Sequence, residues 1–122
     1  MIDMTRKEIL PAVSRYNGEL TQTLESKMAA ADRLGTDIAH NMEEETLATL
    51  SELCDRAMTE VVMLETLAAK TDFSDDLERG TYYRDRVIPA MNALRATCDN
   101  MESLTARRFW PFPQYGDLLF HI

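Results

Sequence analysis

By length the 122 residues make one domain, and with 45% hydrophobic residues, 4 Gly and 4 Pro they can bury well over half of their unfolded surface; disordered and low-complexity classes are excluded. Lys and Arg number 13 against 21 Asp and Glu, so the net charge is -8, the wrong sign for gripping a phosphate backbone, and nucleic acid is excluded as a partner. Cys54 and Cys98 lack CxxC spacing, the first thirty residues do not read as a signal peptide, and no apolar run approaches the 18 residues of a membrane span; the expectation is a cytoplasmic chain with no membrane partner.

The periodicity is helical throughout. From Ile9 the apolar positions Val13, Tyr16, Leu20, Leu24, Met28, Ala31 and Leu34 follow at steps of three and four, predicting a helix over about 5–34 that Gly35 ends as C-cap. Pro11, in Ile9-Leu10-Pro11-Ala12, calls for a kink or a late start, because proline lacks the N–H and crowds the carbonyl four residues earlier.

The second helix, about 42–70, opens at Asn41 as N-cap, with Glu44 at capping-box spacing and Glu43 to Glu45 suited to the positive end of the dipole. Its seam of Leu47, Leu50, Cys54, Ala57, Val61, Leu64 and Ala68 alternates three and four without a break, the most regular signal in the chain. A short polar loop around Phe73 follows, and Asp75 with Glu78 forms a second capping box.

The third helix is expected over 75–108, with a seam of Tyr83, Val87, Met91, Leu94, Cys98, Met101 and Thr105. Pro89, in Val87-Ile88-Pro89-Ala90, repeats the problem of Pro11, and in an up-down-up arrangement both prolines fall toward the same end. Residues 42–70 are acidic and 79–108 basic, so the second and third helices are expected to be complementary neighbours. The fold class is therefore all-α: residues 1–108 form an up-down-up bundle of three long antiparallel helices, and residues 109–122 an extended aromatic tail.

That tail holds five of the nine aromatic residues, and Pro111 and Pro113 forbid a continued helix. A segment so apolar must be covered, on its own bundle or on a neighbouring domain. The candidate interface residues are Trp110, Pro111, Phe112, Pro113, Tyr115, Gly116, Asp117, Leu118, Leu119 and Phe120.

No catalytic, cofactor-binding or metal residue emerges. His40 falls in a loop and His121 is penultimate, neither with an obvious partner; Asp37 and His40 have metal-pair spacing, but the remaining ligands of a di-metal bundle are missing. Walker A and GxGxxG patterns are absent, the cysteines occupy seam positions as small hydrophobes, and the eight methionines read as core filler.

The run Trp110-Pro111-Phe112-Pro113-Gln114-Tyr115-Gly116-Asp117-Leu118-Leu119-Phe120 resembles the C-terminal end of type III glutamine synthetases. Tyr82-Tyr83-Arg84-Asp85-Arg86-Val87-Ile88-Pro89-Ala90-Met91 and Glu8-Ile9-Leu10-Pro11-Ala12-Val13-Ser14-Arg15-Tyr16 are similar to that family in the same order. The resemblance implies a ligase that condenses glutamate with ammonia using ATP and magnesium or manganese, built as a dodecamer of two stacked rings, with this region following the catalytic domain. On that reading the family's catalytic residues lie upstream, the chain alone is inactive and holds no cofactor, and its partners are the catalytic domain and neighbouring subunits. Met1-Ile2-Asp3 is expected to begin partway through a helix that emerges from that domain. A free-standing helical adaptor or regulator is the alternative that composition and periodicity equally allow.

Overall fold

The computed structural model describes residues 1–112. Three helices pack against one another: α1 over residues 2–34, α2 over Asn41–Ala68 and α3 over residues 76–104, with no strand among the described residues. Arg6 meets Glu65 and Lys27 meets Glu43, so α1 and α2 run antiparallel; Thr97 meets Glu60 and Tyr82 meets Leu67, so α2 and α3 do as well. The up-down-up order expected from the short loops is observed.

The helix ends follow local chemistry, with one exchange of roles. Gly35 takes φ 67°, the left-handed conformation that costs a residue with a Cβ, and the Thr36 N–H reaches the Ala31 carbonyl at 3.2 Å to close the helix. At α3, Asp75 Oδ1 accepts from the Glu78 N–H at 2.7 Å, the expected N-cap, while Glu78 Oε2 reaches back to the Ser74 N–H at 2.9 Å, one residue before the N-cap that a reciprocal box would use. For α2 the expected cap is corrected: His40, not Asn41, is the N-cap residue, and no side chain caps the helix. Glu44 instead reaches the His40 ring, with Oε1 3.2 Å from Nε2, while Nδ1 lies 2.8 Å from the Ile38 carbonyl. His40 therefore has the partners that the sequence did not reveal.

Both prolines sit inside continuous helices. Each is preceded by one π-helical turn, Thr5–Ile9 before Pro11 and Tyr83–Val87 before Pro89, in which the Leu10 N–H bonds to the Thr5 carbonyl and the Ile88 N–H to the Tyr83 carbonyl. The carbonyls that the rings would strike, those of Lys7 and Asp85, lie within these wider turns, so of the two expected outcomes the late start does not occur and a change of hydrogen-bond register accommodates each ring. The prolines do not share a level. Thr5 touches Cys98, and Met1, Ile2 and Asp3 share a pocket with Val87 and Met91, so Pro89 stands level with the first turn of α1 and Pro11 about two turns further along.

The core is Ile9, Val13 and Leu20 of α1, Leu50, Leu53, Ala57, Val61 and Leu64 of α2, and Val87, Leu94, Cys98 and Met101 of α3. The seam readings are largely kept, but Leu53 was missed, Ala68 is exposed, and the far half of the α1 stripe is uncovered, with Met28 52% and Leu34 69% exposed. The reason is level: with Thr5 against Cys98, the end of α3 at Leu104 stands over the first half of α1, so nothing described stands over its last turns. α3 also ends earlier than expected, at Leu104, where Thr105 turns extended (φ -88°, ψ 136°) instead of continuing to 108. The methionine reading is corrected too: Met101 is fully buried, but Met4, Met28, Met42, Met58 and Met63 are exposed.

Expected charge pairing between α2 and α3 is also replaced. Among the described residues the cross-helix ion pairs tie α1 to α2, through Arg6–Glu65 and Lys27–Glu43, and Arg108 to Glu19. The bases of α3 stay local: Arg79 lies over the Phe73 ring, Arg84 pairs with the adjacent Asp85, and Arg95 is exposed.

Candidate interaction surfaces

After a 3-10 turn at Arg107–Phe109 the chain folds back on the bundle. Trp110 and Phe112 are half-buried against the core, and Pro111 is exposed. Of the candidate interface residues, these three are described; Pro113, Tyr115, Gly116, Asp117, Leu118, Leu119 and Phe120 lie outside the described residues.

Other apolar groups that the sequence did not single out are exposed. Met58, Val62 and Met63 stand outward on α2, and Leu77, 78% exposed, and Ile88 stand outward on α3. They lie between the seam positions, and their residue type was the one signal the sequence offered for them.

The loop joining α2 to α3 is capped by an aromatic and cationic cluster. Phe73 and Tyr82 approach to 5.3 Å between ring centroids, Tyr82 and Tyr83 to 6.1 Å, and Lys70 Nζ lies 5.4 and 5.1 Å from the Phe73 and Tyr82 centroids. The Tyr82 hydroxyl donates to the Leu67 carbonyl at 2.7 Å, which ties the start of α3 to the end of α2. Cations over ring faces hold such a loop together. The acidic residues from Asp72 to Glu78, the region where an overlooked nucleotide site would be sought, are engaged at Asp75 and Glu78 in the helix cap, and the Ser74 hydroxyl also donates to Glu78. These bonds hold the Glu78 carboxyl below the ordinary carboxylate range.

Neither thiol is activated. Burial raises the pKa of both Cys54 and Cys98, the opposite of what a nucleophile needs, and Cys98 Sγ has the Thr5 hydroxyl 3.9 Å away. No group of three or more His, Cys, Asp or Glu residues suited to a metal occurs among the described residues, and no described helix is long and apolar enough to cross a membrane.

Among the described residues one carboxylate is buried. Glu43, in the first turn of α2, accepts from Lys27 Nζ at 2.6 Å, and this bond, followed by that of its own backbone N–H, lowers its pKa against the opposing cost of burial. A carboxylate whose pKa is lower folded than unfolded adds stability above the unfolded value and loses it as pH falls through the folded one. Acid titration should therefore lower the unfolding temperature progressively below the ordinary Glu range. Glu43→Gln should flatten that part of the profile, as read by thermal melts across pH 2 to 6.

Two curated proteins resemble the chain over its whole length. It is 24% identical to the type-3 glutamine synthetase of Dictyostelium discoideum over 121 residues, which is 98% of this chain and 16% of that protein. It is likewise 24% identical to a glutamine synthetase of Butyrivibrio fibrisolvens over 123 aligned positions, 100% of this chain and 17% of that protein. The chain thus spans about one sixth of the length of these relatives. No family model matches it, and no solved structure does.

Proposed function

We propose that the chain is a non-catalytic helical domain of a type III glutamine synthetase, with a structural or assembly role. The observation that carries this reading is that both glutamine synthetases align with the chain from end to end while it covers only a sixth of either. In this reading the parent condenses glutamate and ammonia with ATP and magnesium or manganese, as a cytoplasmic dodecamer. The bundle docks on the catalytic domain or an adjacent subunit through the outward apolar groups of α2 and α3, where Met58, Val62, Met63, Leu77 and Ile88 would lose their contact with water. For the aromatic segment, packing on the bundle is the role that the half-buried Trp110 and Phe112 support.

The native polypeptide decides between this reading and a free-standing adaptor. An antibody raised against this chain should detect a polypeptide about six times its length, given its share of the relatives. That polypeptide should form glutamine from glutamate, ammonia and ATP, whereas the 122 residues alone should form none. A native product of 13.9 kDa would sink the domain reading and favour the adaptor.

A further inference from the structure

His40 is held between two acceptors. Its Nδ1 lies 2.8 Å from the Ile38 carbonyl and its Nε2 3.2 Å from Glu44 Oε1, and neither a carbonyl nor a carboxylate has a hydrogen to give. A neutral imidazole carries one N–H and one lone pair, so it makes one of these bonds and sets a lone pair against oxygen at the other; only the imidazolium donates to both. The ring stands where that choice has an effect. His40 is the N-cap residue of α2, its carbonyl takes the Glu44 N–H at 3.1 Å, and no side chain caps the helix, so the contact between ring and Glu44 ties the ends of that first turn together.

Each neighbouring element brings charge to this corner. On α2, Glu43 is buried under the Lys27 ammonium; that bond above all, and the charge of His40 least, lower its pKa. On α1, Lys27 bonds to Glu43 and to the Ala39 carbonyl at 3.2 Å, which holds the loop beside the ring. Asp37 of the loop and Glu45 of α2 are exposed, and the end of α3 stands over the first half of α1, away from this turn.

We propose that His40 is a proton-operated latch at the start of α2. Protonated, the ring bridges the Ile38 carbonyl and Glu44 and ties the 36–40 loop to the first turn of the helix. Neutral, it keeps its one N–H on the nearer oxygen, that of Ile38, turns a lone pair to Glu44 and lets the first turn fray. The sign follows from the bonds: a charge-assisted bond is gained as pH falls and lost as pH rises, within the span from pH 5 to 8 in which histidine is the side chain that ordinarily changes charge. The inference goes beyond the reading as a synthetase domain and holds equally for a free-standing chain.

Amide exchange followed by NMR on the full 122-residue chain tests it. After correction for intrinsic pH dependence, the amides of residues 44 and 45 should exchange about threefold faster at pH 8 than at pH 5.5, the scale of one exposed ion pair, with residues 57–64 unchanged. His40→Gln and, separately, Glu44→Ala should each bring that ratio to one, whereas His121→Gln should leave it as it is. Equal rates at the two pH values in the unaltered chain overturn the latch. So does the full acceleration surviving in either of the first two variants, or its loss in His121→Gln. Acceleration that extends to residues 57–64 would report opening of the whole bundle and overturn the proposal as well.

Discussion

Replacing Leu94 by alanine will lower the stability of the bundle by about 2–5 kcal/mol, whereas the same change at Leu34 will leave it within about 0.5 kcal/mol. Both leucines belong to seams that the sequence marks equally clearly. Leu94 is fully buried in the core cluster that joins the three helices, so truncation removes transfer energy and leaves a cavity that rigid neighbouring helices fill poorly. Leu34 ends α1 with nothing described above it, and its side chain is already in water. Urea unfolding of the two variants gives the comparison directly, and in thermal melts the Leu94 variant should lose on the order of 10 °C. Equal losses at the two positions would mean that α3, or a segment following it, covers the end of α1.

Overpacking is the complementary perturbation. Ala57→Leu should cost about 1–3 kcal/mol, because Ala57 is fully buried on α2, the helix that packs against both others, and added methylenes have to push a helix away or take a strained rotamer. Ala48→Leu, on the exposed side of the same helix, should cost almost nothing. Chemical denaturation of both variants checks this, and near-UV circular dichroism should show loosened aromatic packing only for the change at Ala57.

Fold class and helix order were legible because they depend on short-range patterns. Seam spacing at Leu50, Ala57, Val61 and Leu64, left-handed Gly35 and the Asp75–Glu78 cap are each set within a few residues, and each is found where the sequence put it. The absence of an activated cysteine was legible in the same way, since seam positions bury their thiols and burial raises their pKa. Resemblance to type III glutamine synthetase came from residues spread along the chain, and the alignments with a type-3 glutamine synthetase and a second glutamine synthetase cover 98% and 100% of it.

What the tertiary structure alone decided are the quantities that compare one helix with another. The sequence states which face of each helix is apolar; it does not state how far one helix slides along its neighbour, because a heptad seam repeats and is nearly as complementary one heptad away. The offset between α1 and α3, set by the Thr5–Cys98 contact, left the end of α1 bare and separated the two prolines. That same offset turned Met28 and Leu34 from expected core into surface. Ion pairing followed geometry rather than segment charge: Arg6 and Lys27 of α1 reach Glu65 and Glu43 because those acids face them, while among the described residues no arginine of α3 pairs with an acid of α2. Total charge is a property of composition, but a salt bridge needs its two groups within about 4 Å, and only the packed helices set that distance.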